Sequence, residues 1–245
     1  MRVGVLGASG TAGSAVCAEL RARGHDVAEL RRPQVDVVSG DGLGEAFAGL
    51  EAVVECLNAR GTKPDVVRPV LVDGVRAALA AAAKAGVGHA VSLSIVGCDR
   101  VPMGYYRVKV EQEEVVRAAP LPATVVRATQ FHQLVNATLI GVARFGLMPA
   151  PPLVLQPVDP TDVAVVLADA VERGPGEDLA VAGPEIAPLR ALVRTWKATR
   201  RVRLATLPLP AFGPVLKAIA AGGLTDPAAR AGKVSWAQYL GAGNG

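Results

Sequence analysis

A tyrosine and a lysine four residues apart, Tyr105 and Lys109, are the residues of this chain best suited to acid–base chemistry. Side chains at this spacing lie on one face of a helix, so both can reach the same cleft. An ammonium group beside a phenol favours the phenolate, so we expect Lys109 to lower the pKa of Tyr105 and make it a usable acid near neutrality. The pair therefore suits carbonyl reduction. Tyr-x-x-x-Lys also occurs by chance on many helices, with the tyrosine packed as a half-buried aromatic residue.

Two elements must position this pair. A predicted strand, Ala90–Leu93, carries serines to its carboxyl end, and a loop then leads into the helix that holds the tyrosine and the lysine. A serine hydroxyl can hold the oxygen atom of a substrate, and the sequence leaves open whether Ser92 or Ser94 would do so. Tyr106 competes with its neighbour, but only the first of the two tyrosines is in register with the lysine.

Upstream, three glycines spaced three apart, Gly7, Gly10 and Gly13, follow an apolar strand pattern and precede a helical pattern. Glycines permit a tight turn and a close approach of a pyrophosphate, whose charge is attracted by the N-terminus of the following helix. Ser9 and Thr11 add hydroxyl donors beside the backbone amides. Glycine turns also arise for packing reasons alone, but the position between a strand and a helix favours a dinucleotide site.

Two arginines, Arg31 and Arg32, follow the second predicted strand, Asp26–Leu30. In a parallel dinucleotide-binding fold this strand ends at the adenine ribose, where an acidic residue binds the 2′-hydroxyl and an arginine accommodates a 2′-phosphate. The arginines favour NADP, with NADPH preferred over NADH. Glu29 would be the ribose acid if the strand ended two residues earlier, and paired arginines at a strand end are often merely solvated.

The next two predicted strands add candidate cofactor contacts. A third strand, Val35–Val38, leads to Asp41, which is placed to meet the adenine edge or, equally, to cap the next helix. A fourth strand, Ala52–Leu57, ends at Asn58. Ligands of open parallel sheets bind at the carboxyl ends of the strands, so Leu57 and Asn58 should face the cofactor.

Composition excludes several other classes of protein. With 245 residues, 51% of them apolar, the chain can form one sizeable α/β core. Its net charge of +4 comes from scattered Lys and Arg, and only 4% of residues are aromatic, so no direct nucleic-acid binding is expected. Cys17, Cys56 and Cys98 lie far apart, and so do the three histidines, so we expect neither disulfides nor a metal site. No apolar segment reaches the length of a membrane span, and we expect a cytoplasmic protein without membrane contact.

The glycine spacing, at the first, fourth and seventh positions, resembles the extended and atypical branch of the short-chain dehydrogenase/reductase superfamily. Several segments together resemble its NmrA-like group over nearly the whole chain: residues 7–13, 91–97, 105–109, 127–131 and 156–163. The resemblance implies NAD(P) binding in a Rossmann domain. It carries Gly7, Ser9, Gly10, Thr11, Gly13 and Arg32 over to cofactor binding and Lys109 to the nicotinamide ribose. Members of that group are either NADPH-dependent reductases or cofactor-sensing regulators without catalytic activity.

We therefore expect a doubly wound, mainly parallel sheet with a small C-terminal α/β cap. The NAD(P)-binding domain should span residues 1–150 and the cap residues 151–245. In the cap we interpret Asp159 and Asp162 as residues that cap the helix Val163–Glu172. A cap this small suits a small, hydrophobic substrate and is too small for the third candidate, a nucleotide-sugar epimerase.

The leading functional prediction is an NADPH-dependent reductase that transfers hydride to a quinone or a small carbonyl compound. Tyr105 would donate the proton, Lys109 would orient the cofactor, and one of the two serines would polarise the acceptor. A quinone would need less from Tyr105, because its reduced oxygens can take protons from water. The alternative is a non-catalytic NAD(P) sensor that acts through a protein partner. Whether the chain forms a homodimer or binds a regulatory partner stays open.

Overall fold

A computed structural model describes residues 1–243 and contains a seven-stranded sheet flanked by helices. The strands are β1 (Arg2–Leu6), β2 (Asp26–Leu30), β3 (Ala52–Glu55), β4 (His89–Ile95), β5 (Ala123–Ala128), β6 (Leu147–Pro149), β7 (Val154–Leu155), β8 (Leu179–Ala182), β9 (Ala187–Pro188), β10 (Ala205–Leu207) and β11 (Arg230–Ala231). The helices are α1 (Thr11–Ala22), α2 (Leu43–Ala46), α3 (Pro64–Arg68), α4 (Val75–Lys84), α5 (Gly104–Arg117), α6 (His132–Ala143), α7 (Pro160–Arg173), α8 (Leu189–Arg200), α9 (Gly213–Ala220) and α10 (Trp236–Gly241).

The strand order of the large sheet is β11-β8-β5-β4-β3-β1-β2. Strand β1 pairs in parallel with both β2 and β3, and β3 pairs in parallel with β4. The order reverses at β1, as it does in a doubly wound fold. The predicted fold class is confirmed. Two further two-stranded sheets join β10 to β6 and β7 to β9.

The chain forms two compact units, each assembled from separate stretches of sequence. The first comprises residues 1–95, 104–127 and 163–179, and the second comprises residues 96–103, 128–162 and 180–243 of the described chain. The predicted boundary at residue 150 stays a prediction.

The first unit is built on apolar strands and on the inner faces of α4 and α5. All four residues of β3 are buried, and a large apolar cluster surrounds the fully buried ring of Phe47. Because strands of a parallel sheet are covered on both faces, they read as nearly continuous apolar runs. The one acidic residue within β3, Glu55, is therefore conspicuous.

An arginine ties α1 to α7 within the same unit. Arg23 pairs with Asp169 at 2.7 Å, with Glu172 at 2.8 Å and with Glu19 at 2.8 Å. Its side chain is 20% exposed, so solvent screens these ion pairs less than it screens fully exposed ones. The contact fixes α7 against α1, the helix that follows the glycine turn.

The second unit has its own aromatic core. The rings of Trp236 and Tyr239 stack with centroids 5.7 Å apart, and Trp196 lies in the same apolar cluster. The indole nitrogen of Trp196 donates to Asn136 at 2.9 Å, so this buried polar group is satisfied. Helix α10 begins with a capping box between Ser235 and Gln238.

One predicted strand is wrong. Val35–Val38 is not a strand: Val35 and Val37 are buried, but the segment forms turns closed by bonds such as Asp36 N to Asp41 O. Val35 and Val37 pack on the apolar core without forming ladder hydrogen bonds. A π-helical segment, Pro69–Gly74, joins α3 to α4, and Pro69 at its start has no N–H to donate.

Candidate functional site

The glycine turn joins β1 to α1 within a very small space. Gly7 has a positive φ of 77°, and a Cβ there would lie 2.7 Å from the carbonyl oxygen of Cys56. A Cβ on Gly13 would lie 2.2 Å from the carbonyl oxygen of Gly7, so the helix contacts the turn backbone to backbone. Only glycine fits at these two positions.

The start of α1 is open to a ligand. Its N-cap, Gly10, has no side-chain capping bond, and the first turn holds no acidic residue. Ser9 and Thr11 are exposed beside it. The dipole and the first amides of this 12-residue helix thus present partial positive charge to solvent, as an anionic phosphate requires.

The end of β2 carries a cluster of one carboxylate and several arginines. Glu29 accepts from Arg21 at 2.8 Å and lies 3.7 Å from the Nε of Arg31. The bond from Arg21 and the positive charges nearby hold the pKa of Glu29 below its usual range. Arg32 is exposed and has no ion-pair partner within residues 1–243. Glu29, the alternative ribose acid, is thus already engaged by two arginines.

Asp41 does not cap α2, contrary to one of the two predicted roles. The N-cap is Gly42, which has a positive φ of 72° and no side-chain capping bond. The Asp41 carboxylate instead accepts from the hydroxyl of Ser39 at 2.7 Å, and the residue is exposed. The other predicted role of Asp41, a contact with the adenine edge, stays a prediction.

A buried polar network lies at the carboxyl end of β3. Glu55 is fully buried, and its Oε2 accepts from Ser92 Oγ at 2.5 Å and from Gln112 Nε2 at 2.7 Å. Its Oε1 accepts from the amide of Leu57 at 2.7 Å. Burial raises the pKa of Glu55, while the positive charge of Lys109 and these hydrogen bonds act in the opposite direction.

Lys109 belongs to the same network. It is 4% exposed, and its Nζ donates to the carbonyl oxygen of Leu93 at 2.9 Å and to Gln112 Oε1 at 2.5 Å. Gln112 therefore bridges the ammonium group of Lys109 and the carboxylate of Glu55. Sequence reasoning missed both Glu55 and Gln112, although an acidic residue inside an apolar strand was a signal for the first.

Tyr105 differs from the expectation about its acidity. Its hydroxyl donates to Asn58 Oδ1 at 3.0 Å. Desolvation, with contributions from Tyr106 and Glu55, raises the pKa of Tyr105 to about 12. The expected lowering by Lys109 is therefore wrong, because the lysine is engaged with Leu93 and Gln112.

Ser94 lies in a second buried cluster. It is 3% exposed and close to the carboxylate of Glu113, which accepts from Arg127 at 2.7 Å and from Arg117 at 3.1 Å. Although burial acts to raise it, the hydrogen bonds and positive charges of Arg127 and Arg117 hold the pKa of Glu113 below its usual range. Both candidate serines thus lie beside carboxylates: Ser92 at Glu55 and Ser94 at Glu113.

The two aspartates interpreted as caps behave differently. Asp159 accepts from the amide of Thr161 at 2.9 Å and caps α7, which begins at Pro160 and so precedes the predicted start. Asp162 instead accepts from the amides of Lys233 and Val234, at 2.8 and 3.1 Å. Its predicted capping role is wrong, because it holds a loop of the second unit.

A family model described as NAD(P)H-binding matches residues 7–173. The chain belongs to this NAD(P)H-binding family. The match begins at the first glycine of the turn and includes the strands and helices that carry Glu55, Ser92 and Lys109. The predicted membership in an NAD(P)-binding family is confirmed. No curated protein sequence gives a significant match to the chain.

Solved structures with this NAD(P)H-binding fold are similar over almost the entire chain. A short-chain dehydrogenase/reductase superfamily protein from Agrobacterium tumefaciens with bound NAD has a TM-score of 0.74 at 19% identity, covering 99% of this chain and 95% of that one. An NADPH-dependent quinone oxidoreductase from Escherichia coli, complexed with NADPH, has a TM-score of 0.74 at 16% identity, covering 99% and 100%. A dTDP-4-dehydrorhamnose reductase from Clostridium acetobutylicum has a TM-score of 0.76 at 15% identity, covering 98% and 91%. At such low sequence identities, the structural similarity establishes the fold alone.

Within residues 1–243, no group of three or more His, Cys, Asp or Glu side chains could hold a metal ion. In the same part of the chain, no helix is both long enough and apolar enough to cross a bilayer. The family match indicates that the chain binds a nicotinamide cofactor, and the roles of individual site residues toward that cofactor stay predictions.

Proposed function

We propose that the protein is an NADPH-dependent reductase whose hydride acceptor is a quinone rather than an aldehyde or ketone. NADPH supplies a hydride, which consists of one proton and two electrons. A second proton, taken from water, completes the hydroquinone. The glycine turn would hold the pyrophosphate, and Leu57, Asn58 and Lys109 would face the nicotinamide half. An oxidoreductase of the same fold from Escherichia coli is a quinone oxidoreductase, so the fold is compatible with this acceptor.

The hydrogen bond of the Tyr105 hydroxyl is the observation that carries the choice of acceptor. This hydroxyl already donates its proton to Asn58, and burial raises the pKa of the phenol to about 12, which makes it a weaker acid than an ordinary tyrosine. The hydroxyl proton of Ser92 is likewise directed at Glu55. An aldehyde or ketone needs a proton donor for its developing alkoxide, whereas the oxygens of a reduced quinone can take protons from water.

The preference for NADPH rests on the end of β2. Glu29 is held by Arg21 and Arg31, so it is not free to bind a ribose 2′-hydroxyl. Arg32 is exposed without an ion-pair partner among the described residues. An extra phosphate at this position would meet positive charge.

The test is to follow the loss of reduced-nicotinamide absorbance when purified protein and NADPH are mixed with quinones, aldehydes or ketones. We expect turnover with quinones, and we expect Tyr105→Phe to retain it within about threefold, since removing a poor proton donor changes little. Collapse of quinone turnover in Tyr105→Phe would show that the phenol donates after all. Turnover with carbonyl compounds alone would refute the choice of acceptor.

A non-catalytic NAD(P) sensor is the second candidate. It is favoured by the internal hydrogen bonds of Ser92 and Lys109, which a structural role alone would explain. The same assay separates the two functions: tight NADPH binding without turnover of any acceptor would support the sensor. Calorimetry should then find different affinities for NADPH and NADP⁺, because a sensor must bind the two forms unequally.

A further inference from the structure

We propose that Glu55 and Gln112 are positioning residues: one buried carboxylate, acting directly on Ser92 and the Leu57 amide and through Gln112 on Lys109, holds the groups that meet the nicotinamide half of the cofactor. This inference rests on the proposed function for its assignment of the nicotinamide end, and it adds two residues that no sequence motif indicates. It predicts that binding of the nicotinamide half depends on a residue that does not itself contact the ligand.

The geometry of Glu55 carries the proposal. Three donors converge on its two oxygens: Ser92 Oγ, Gln112 Nε2 and the amide of Leu57. A carboxylate has only acceptors, so it satisfies all three, whereas an amide in its place would direct N–H groups at one of them. The position therefore specifies a carboxylate and not merely a polar side chain of that size.

The partners of Glu55 are the residues expected at the cofactor edge. Leu57 and Asn58 lie in the loop after β3, and Asn58 accepts from the hydroxyl of Tyr105. Ser92 lies opposite in register, since Glu55 pairs with it across the β3–β4 ladder. The loop after β3 and Ser92 are thus fixed by the same carboxylate.

Gln112 extends the network to the lysine. Its amide donates to Glu55 and its carbonyl oxygen accepts from Lys109, which fixes the orientation of the amide group. Gln112 is 1% exposed, and Glu55 is fully buried. Two opposite charges are therefore held near each other in a water-poor interior, where each compensates the burial of the other.

The burial of this network also explains why it acts on position and not on chemistry. Neither Glu55 nor Gln112 is exposed to a ligand, so neither can contact a cofactor directly. A change at either residue must act through Lys109, Ser92 or the loop that contains Leu57. Its effect should be confined to the part of the ligand that these groups meet.

The experiment compares two ligands by calorimetry: NADPH, and adenosine 2′,5′-bisphosphate, which lacks the nicotinamide half. We expect Glu55→Gln to weaken NADPH binding by about tenfold or more, the usual size of a lost hydrogen bond to a charged group, while the affinity for the bisphosphate stays within about twofold. Glu114→Gln, which removes the same charge from an exposed position on α5, should leave both affinities unchanged.

A charge swap sharpens the result. In Glu55→Gln with Gln112→Glu, the amide at 55 can donate to the carboxylate at 112, which then accepts directly from Lys109. We expect NADPH affinity to return to within about threefold of wild type, because the buried charge and its link to the lysine are restored. Failure of the swap to recover any affinity would overturn the proposal.

Two further outcomes would also overturn it. One is wild-type NADPH affinity in Glu55→Gln, and the other is an equal loss for NADPH and the bisphosphate, which would mean general damage to the fold. Should Glu55→Gln not fold, Gln112→Leu removes the bridge between Glu55 and Lys109 and keeps the Glu55 carboxylate with its bonds from Ser92 and Leu57, and wild-type NADPH affinity in that variant would refute the proposal. Both ligands are bound without turnover, so a wild type that reduces no acceptor would refute the proposed function and leave this test intact.

Discussion

Replacing Gly13 by alanine is expected to force the glycine turn open. The new methyl carbon would lie 2.2 Å from the carbonyl oxygen of Gly7 and 2.7 Å from its carbonyl carbon. Ordinary contact begins near 3.4 Å, so α1 and the turn must separate by about 1 Å. Neither side yields easily, because Gly7 donates to Leu30 and accepts from Gly10.

The expected cost follows from these contacts. Overpacking that requires backbone movement costs about 1 to 3 kcal/mol, and a clash between two backbone segments belongs at the upper end. Alanine returns at most about 1 kcal/mol through its higher helix propensity. We therefore expect Gly13→Ala to lower the free energy of unfolding by about 2 kcal/mol.

A matched substitution separates the clash from the change of residue type. Gly141 lies in α6, and a Cβ there meets nothing within 4 Å. Gly141→Ala should raise stability by about 0.4 to 1 kcal/mol, since alanine reduces the entropy of the unfolded chain. The two variants should move the free energy in opposite directions in urea denaturation, and the melting temperature by about 2 to 4 °C per kcal/mol. A Gly13→Ala protein as stable as wild type would refute the close approach of helix and turn.

Three further predictions concern charged residues. Arg31→Ala with Arg32→Ala should lower the ratio of NADPH to NADH affinity by about tenfold or more, and an unchanged ratio in calorimetry would contradict the assignment of the 2′-phosphate site. Arg23→Ala, which leaves three carboxylates close together, should cost about 2 kcal/mol in urea denaturation, whereas loss of the exposed Arg76 pair should cost less than about 0.5 kcal/mol; equal effects would refute the role of partial burial. Because the pKa of Glu113 is lowered in the folded protein, its contribution to stability is present above its ordinary value of 4.5 and is lost as the pH falls through the folded-state value. Glu113→Gln should therefore flatten the fall in melting temperature below pH 4.5, and an unaltered fall would contradict this ionisation.

The strands and the glycine turn could be predicted from sequence because their causes are local. An apolar run followed by closely spaced glycines specifies β1, the turn and α1 whatever the rest of the chain does. The valines at 35 and 37 show the limit of the same reasoning. Apolar residues at alternate positions occur both in strands and in loops that pack on the core. Only the positions of neighbouring strands decide which of the two forms.

The site was less predictable because its properties depend on residues distant in sequence. The spacing of Tyr105 and Lys109 places them on one helix face, as expected. The acidity of the phenol is instead set mainly by burial, with contributions from the neighbouring Tyr106 and from Glu55, about fifty positions upstream. The lysine is drawn to Gln112 and Leu93, and no pattern around Tyr-x-x-x-Lys reveals that competition.

The pairing of Arg23 with α7 has a consequence for synthesis of the chain on the ribosome. Asp169 lies 146 residues after Arg23, so at about 5 to 20 residues per second it emerges about 7 to 30 s later. During that interval α1 and the glycine turn have been made, but the carboxylates of α7 that tie α1 in place have not. The synthesis of the first unit therefore begins at residue 1 and is complete only after residue 179 has been added. A nascent chain stalled before residue 160 should present an unfinished first unit to chaperones.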